Sequence, residues 1–272
     1  SQTPVLIIEI LEIRFEETKM ETKHPSMLDL LIETHIGLDR QGPGSAEAIV
    51  QALAFLKPLE QFSKIADLGC GTGGQTMLLA KYLPGTIIGL DMFPDFIDKF
   101  NRNAKIRNLE NRVTGIVGSM EDLAFQKNSL DLIWSEGAID NIGFEKGLSH
   151  WHSFLKKGGF VAVTSPSWLT AEHPVAVEQF WSDAGSQLDC IGNNIEIMQK
   201  CGYQFIASFA LSEQCWTENY FIPRKTAINK LSEKYAGDET MLDYIAQNER
   251  ESELYSRYGK QYGYVFYIGR AI

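Results

Sequence analysis

Residues 65–74 read IADLGCGTGG, an apolar run that ends in an acid and gives way to four glycines in six positions. Two parses compete. Gly69, Gly71 and Gly74 fit G-x-G-x-x-G, the spacing of a loop that cradles a dinucleotide pyrophosphate; Asp67, Gly69, Gly71 and Gly73 fit D-x-G-x-G-x-G, a nucleoside loop with an acid beside it. Both place the glycines between a strand and a helix, where missing side chains let a ligand approach the backbone. The stretch fixes the local fold before it fixes the ligand.

Working outward, KIADL is a strand, 74–83 a helix, TIIGL a strand, 94–106 a helix, RVTGIV and LDLIW strands, 144–156 a helix and FVAVT a strand. Such alternation predicts an α/β fold, doubly wound and Rossmann-like, with a mostly parallel sheet of seven strands covered by helices on both faces. Upstream, SMLDLLIETH has helical spacing. Gly42, Pro43 and Gly44 then force a loop, and Ser45 caps a second helix to about Leu56, with Glu47 in its first turn. Downstream, 192–201 reads as a helix and YQFIASFAL as a strand. Residues 212–260 supply a loop and two helices broken at Gly237 and capped again by Asp238, and YGYVFYIGRAI is a strand that returns to the sheet. The organisation expected is an N-terminal arm over 1–25, one binding domain over 26–211 and 261–272, and a helical, aromatic lid inserted at 212–260.

A chain of 272 residues with 44% apolar content buries a full core. The run VLIIEIL is broken by Glu9 and is neither a membrane span nor a leader with a cleavage site, so a cytoplasmic address and no membrane partner are expected. Cys70, Cys190, Cys201 and Cys215 lie far apart with no C-x-x-C pair, which predicts reduced thiols and no metal site. The net charge of −10, with scattered lysines and arginines, argues against nucleic acid.

The acid decides between the parses. A pyrophosphate needs bare amides at a helix N-terminus and is repelled by a carboxylate, whereas Asp67 suits an ammonium such as the methionyl end of S-adenosylmethionine. Asp91, followed by Met92, ends the second strand, where a carboxylate accepts ribose hydroxyls in either kind of protein. After the third strand, Ser119, Met120 and Glu121 are placed to flank an adenine. After the fourth, WSEGAIDNIG brings Ser135, Glu136, Gly137 and Asp140 to the edge where open sheets bind ligands.

Together, ADLGCGTGGQT, GLDMFPDF, GSMEDL and LKKGGFVAV resemble the successive motifs of class I S-adenosylmethionine-dependent methyltransferases. QGPGS and DLIWSEGAIDNIGFEKG further resemble a bacterial small-molecule group of the kind seen in Bacteroides-type genomes. The resemblance covers about residues 28–165, and the final YGYVFYIG also fits it. It implies that Gly69, Gly71 and Gly73 line the cofactor, Asp91 holds the ribose, Ser119 to Glu121 meet adenine, and Ser135 to Gly137 sit beside the methionyl and sulfonium end. It also implies an antiparallel last strand. It fixes S-adenosylmethionine as methyl donor, with S-adenosylhomocysteine as product, and leaves a small-molecule acceptor unspecified.

Some roles stay open. Glu136 is either a general base or a solvated loop acid, and Asp140 either meets the acceptor or is another such acid. Arg40 either reaches the cofactor carboxylate or closes its own loop. Trp168, Trp216 and Tyr220 are either core or acceptor-binding; their assignment to loops after strand ends favours the latter. His35, His150, His152 and His173 have no partner recognisable in sequence. A nicotinamide-dependent oxidoreductase and a non-catalytic sensor of S-adenosylmethionine are the alternatives to a methyltransferase.

Overall fold

The structure, a computed structural model, describes residues 24–272. The arm expected over 1–25 therefore lies almost wholly outside the described residues. The chain enters through α1 (Met27–His35), closed at its start by a reciprocal cap in which the Asp29 amide donates to Ser26 Oγ and the Ser26 amide to Asp29 Oδ2. Ser45 caps α2 (Ala46–Leu53) through the Ala48 amide, as its residue type predicts.

The parallel part of the sheet follows: β1 (Lys64–Leu68), α3 (Gly74–Tyr82), β2 (Thr86–Asp91), α4 (Pro94–Ile106), β3 (Val113–Val117), β4 (Leu130–Ser135), α5 (Phe144–His152) and β5 (Leu155–Trp168). These strands read as near-continuous apolar runs because helices cover both faces. Then come α6 (Val175–Asp183), the two-residue β6 (Asp189–Cys190), α7 (Ile191–Lys200) and β7 (Tyr203–Ala210). Between β7 and the last strand, β8 (Tyr262–Ala271), lie α8 (Glu213–Trp216), a π turn over Thr217–Phe221, α9 (Ile222–Lys234) and α10 (Glu239–Tyr258). Asp238 caps α10 through the Met241 amide, just after Gly237 at φ +81°.

The strand order is β3-β2-β1-β4-β5-β8-β7, with β6 pairing the extended end of β5. The mostly parallel sheet is as expected, with the two-residue β6 added as an eighth strand to the seven, and β8 runs antiparallel to both β5 and β7. Three local readings are corrected. The strand expected at FVAVT runs from Leu155 to Trp168, because β8 pairs along it from Phe160 to Trp168. The helix expected to reach 156 stops at His152 so that this longer strand can begin. Helix α6 was not foreseen: Pro174 opens it, and only Val177 and Trp181 of its nine residues are buried, too few to give a periodic signal.

Two cores flank the sheet. One lies under α2, α3, α4 and α6 and takes in Trp216 and Tyr255 from the helices before β8; the other lies under α5 and α7. A smaller third cluster joins Leu30 of α1 to Ile228, Leu231, Met241 and Tyr244 of α9 and α10. The first helix and the helices inserted before β8 thus form one cap at the carboxyl edge of the parallel strands. Among the described residues no helix is long and apolar enough to cross a membrane.

Candidate functional site

The glycine loop is held from three sides. The Gly69 and Cys70 amides donate to Leu90 O at 2.8 and 3.1 Å, and the Gly71 amide donates to Asp91 Oδ2 at 2.8 Å. Asp91 Oδ1 accepts from the Phe93 amide at 3.0 Å, so this carboxylate ties the tip of β2 to the loop after β1. Each of its oxygens keeps lone-pair capacity, which suits two ribose hydroxyls. Burial raises the pKa of Asp91 above the usual carboxylate value, against the pull of these amides.

Gly69, Gly71 and Gly73 all have positive φ. What they make room for is mainly protein. A Cβ on Gly71 would stand 2.1 Å from Gln41 Oε1, and one on Gly73 would stand 2.5 Å from the Phe100 ring. A Cβ on Gly69 would meet that of Ala138 at 2.3 Å, with Met120 Sδ at 3.6 Å. On the Cβ side, the bareness of Gly71 admits the cap and that of Gly73 the α4 packing.

Asp67, at the end of β1, is fully buried. Its Oδ2 accepts from Thr76 Oγ1 at 2.5 Å, and its Oδ1 has no hydrogen-bond partner in the protein. Burial lifts its pKa to about 7, reinforced by repulsion from Glu136 and Asp91. A carboxylate so placed lacks a cationic donor, and the ammonium of a methionyl group supplies one; a diphosphate supplies only further negative charge. The donor set therefore fits S-adenosylmethionine.

The third strand's loop divides. Ser119 Oγ accepts from the Glu121 amide at 3.1 Å, and Met120 O accepts from Trp151 Nε1 at 3.0 Å, which holds Met120 beside Gly69. Glu121 is half exposed and pairs with Lys146. Met92 is also partly exposed, next to Asp91.

At the end of β4, Ser135 Oγ donates to Leu68 O at 2.8 Å, binding the tips of β4 and β1 together. Glu136 has both oxygens engaged, Oε2 with Arg40 at 2.9 Å and Oε1 with Trp134 Nε1 at 2.8 Å. Both carboxylate oxygens of Glu136 are thus already engaged within the protein. The Gly137 amide donates to Thr164 Oγ1 at 2.7 Å, and its Cα side faces the Tyr264 hydroxyl, 3.8 Å from a Cβ position there. Asp140, in the 3₁₀ turn Ile139–Asn141, accepts from Ser165 Oγ at 2.6 Å through Oδ1 and leaves Oδ2 sealed from solvent without a partner.

The aromatic candidates are not in loops. Trp168 is the last residue of β5, opposite Tyr262 and stacked on His173 at 4.4 Å. Trp216, with no exposed surface, stacks on Tyr255 at 4.4 Å and on Tyr264 at 5.2 Å. Tyr220 accepts from Arg224 at 2.9 Å and lies 3.5 Å from His35 Nε2; Arg224 also pairs with Glu251. Burial lowers the His35 pKa to about 4, leaving a neutral ring that donates or accepts inside the cap.

Sequence reasoning missed Gln41, Tyr264, Arg224 and Glu251. Gln41 Nε2 donates to His35 O, Leu38 O and Thr72 Oγ1 at 3.0 to 3.1 Å, while its Oε1 accepts from the Thr72 amide at 3.0 Å. The Gly44 amide donates to Cys215 O at 3.3 Å and Asn219 Nδ2 to Gly44 O at 2.9 Å, so one segment touches both the glycine loop and the inserted helices. For Tyr264 a signal existed: it alternates with Tyr262 on a strand whose start lies at the ligand edge.

Residues 65–159 match the model of a methyltransferase domain. The chain is 31% identical over 140 residues to a dimethylglycine N-methyltransferase of Parasynechococcus marenigrum, covering 49% of this chain and 50% of that protein. It is 29% identical over 128 residues to a malonyl-[acyl-carrier protein] O-methyltransferase of Herminiimonas arsenicoxydans, covering 46% of each. The chain thus spans half or less of the length of these curated relatives. Among solved structures it resembles an S-adenosylmethionine-dependent methyltransferase of Geobacter sulfurreducens in complex with S-adenosylhomocysteine, with a TM-score of 0.78, 18% identity and coverage of 89% and 98%. It also resembles geranyl diphosphate C-methyltransferase of Streptomyces coelicolor, with a TM-score of 0.62, 18% identity and coverage of 84% and 78%. The fold is the Rossmann-like fold of these methyltransferase structures, and residues 65–159 are the part that matches the methyltransferase-domain model.

Proposed function

We propose that the protein transfers the methyl group of S-adenosylmethionine to a small-molecule acceptor by in-line displacement, releasing S-adenosylhomocysteine. The observation that carries this reading is the buried, unpartnered oxygen of Asp67 beside a glycine loop that Asp91 holds in place. The methyltransferase-domain match over 65–159 supports it, as do relatives named for methyl transfer to dimethylglycine and to malonyl-[acyl-carrier protein]. The motifs QGPGS and DLIWSEGAIDNIGFEKG favour a place in the bacterial, Bacteroides-type small-molecule group, and four free cysteines favour a cytoplasmic address.

S-adenosylmethionine supplies a methyl already activated by its sulfonium charge, so the chain contributes mainly alignment and exclusion of water. In this reading Asp67 neutralises the ammonium, Asp91 takes the ribose hydroxyls, Ser119 and Met120 flank the adenine, and Ser135 to Gly137 border the methionyl end. Arg40, paired to Glu136, closes that end. Asp140 and Tyr264 face the acceptor, with Trp168, Trp216 and Tyr220 as the packed wall behind them. Residues 212–260, together with α1 and the 36–45 segment, form the lid.

Calorimetric titration with S-adenosylmethionine, S-adenosylhomocysteine and NAD tests the proposal. Binding of the two sulfur nucleosides and not of NAD is expected; tight NAD binding without them overturns it.

A further inference from the structure

A cleft of about 700 Å³ opens between the start of α5 and the loop before β6, lined by Gly143, Phe144, Lys146 and Ser186, and it reaches Asp140. Asp140 lies three positions after Gly137, at the end of β4 where the methyl is to be delivered. Its Oδ1 is fixed by Ser165 on β5, while its Oδ2 is buried with no hydrogen-bond donor. Glu136, the other acid of this turn, is spent on Arg40 and Trp134. Asp140 is therefore the one carboxylate of the turn with an oxygen to offer.

Resting on the methyl-transfer reading above, we propose that Asp140 receives the proton of the acceptor, and that the acceptor is a small primary or secondary amine arriving through this cleft as its ammonium ion.

The chemistry selects the amine. An unpartnered buried oxygen calls for an N–H or O–H donor. An alcohol is too weak an acid to yield its proton to a carboxylate, and a carboxylic acceptor needs no base and would meet like charge. An ammonium is attracted by the acids of this edge and of the cleft, Asp67, Asp91, Glu136, Asp140, Glu145 and Glu251, which outnumber Arg40, Lys146, Lys200 and Arg224. A phenol would leave a phenolate amid these acids.

The step balances. The ammonium N–H proton passes to Asp140 Oδ2, giving a neutral amine and a carboxylic acid. The nitrogen lone pair forms the N–C bond as the C–S bond breaks, and that electron pair stays on sulfur. The methylated ammonium leaves, and Asp140 returns its proton to solvent.

Burial lifts the Asp140 pKa to about 7, against the Ser165 hydrogen bond, so the group changes state where such an exchange is useful. The charged and titratable groups around it are Tyr264 and Tyr267 of β8, Glu145 and Lys146 of α5, and Lys200 and Cys201 at the end of α7. Burial holds both tyrosines as phenols at neutral pH.

The test begins by showing that the full chain binds S-adenosylhomocysteine; absence of that binding defeats the methyl-transfer reading itself. Release of S-adenosylhomocysteine is then followed with ethanolamine, glycine and benzylamine, against ethylene glycol, glycolate, benzyl alcohol and phenol. Turnover of amines alone is expected, with a rate that rises through about pH 7. Asp140→Asn should lower amine turnover at least ~100-fold and lose the pH limb, while S-adenosylhomocysteine affinity stays within about threefold. Calorimetry should show the amine binding at least ~10-fold more weakly to the variant's S-adenosylhomocysteine complex, the loss of one charged partner. Ser165→Ala removes a bond that favours the ionised form and should shift the limb to higher pH. Turnover of hydroxyl acceptors or phenol, no amine turnover by protein that binds S-adenosylhomocysteine, or an unchanged pH limb in Asp140→Asn overturns the proposal.

Discussion

Asp91 and Asp140 stand at the same edge of one sheet and are held in opposite ways. Around Asp91, in the β3-β2-β1-β4 half, the edge is made of backbone. Loop amides converge on carbonyls and carboxylates, and each strand delivers its own contact at its own tip. Around Asp140, in the β5-β8-β7 half, the edge is made of side chains. Trp168, Trp181, Trp216, Tyr255, Tyr262 and Tyr264 pack ring on ring, and the indole N–H groups of Trp181 and Trp216 and the Tyr262 hydroxyl are buried without partners. The first half is suited to an invariant ligand recognised by fixed dipoles. The second can change its acceptor by changing side chains while the sheet stays as it is.

The largest effect that tests this contrast is Trp216→Ala. Trp216 has no exposed surface and stacks on rings from α10 and β8, so its loss should cost about 3–5 kcal/mol of stability. Thermal unfolding should show a fall of roughly 10 °C. Unfolding at the wild-type temperature would mean that the aromatic half is an adaptable pocket and not a core.

In the other half the decisive change should act on affinity. The folded-state pKa of Asp67 is raised to about 7, above its unfolded value, so the stability it contributes is full below about pH 4 and is lost as pH rises toward 7. The ligand-free protein therefore carries an ionised, half-partnered acid above pH 7. Asp67→Asn should stabilise it there by about 2 kcal/mol, read as a higher unfolding temperature at pH 8. The same variant should bind S-adenosylmethionine at least ~10-fold more weakly, since it cannot neutralise an ammonium. Wild-type affinity should fall as pH drops below 7, approaching tenfold per unit, and the variant's should stay flat between pH 6 and 8. A pH-independent wild type would remove Asp67 from the ammonium site.

The contrast also explains what could be read in advance. The strands from Lys64 to Ser135 and the places of Asp67 and Asp91 were legible because each contact is made within a few residues of a strand tip. What the glycines do was not: Gln41 comes to Gly71, and Phe100 to Gly73, from separate elements of the fold. Nor was the aromatic half, where Trp168 meets Tyr262 only because β8 returns antiparallel across the whole length of β5. Trp216 and Tyr220 carried no signal of burial, because the π turn between α8 and α9 follows neither helical nor strand periodicity. Helix α6 failed for a related reason, showing too little apolar surface for its period to register.

The smallest effect expected separates two uses of one glycine. Gly71 has φ +54°, so Gly71→Ala pays backbone strain of about 1 kcal/mol in any background. If the bareness of Gly71 serves mainly to admit Gln41, whose Oε1 lies 2.1 Å from the added methyl position, a further cost arises only while Gln41 is present. Gln41→Ala alone should weaken S-adenosylhomocysteine by about 1 kcal/mol, because it releases the hydrogen bonds that join the cap to Thr72. Measured by calorimetry, Gly71→Ala should then cost less in the Gln41→Ala background than in the wild type, by about 1 kcal/mol of coupling. Equal costs in both backgrounds would place the ligand, and not the cap, against Gly71. The donor half would then be built around its nucleoside more directly than the contacts of its free form indicate.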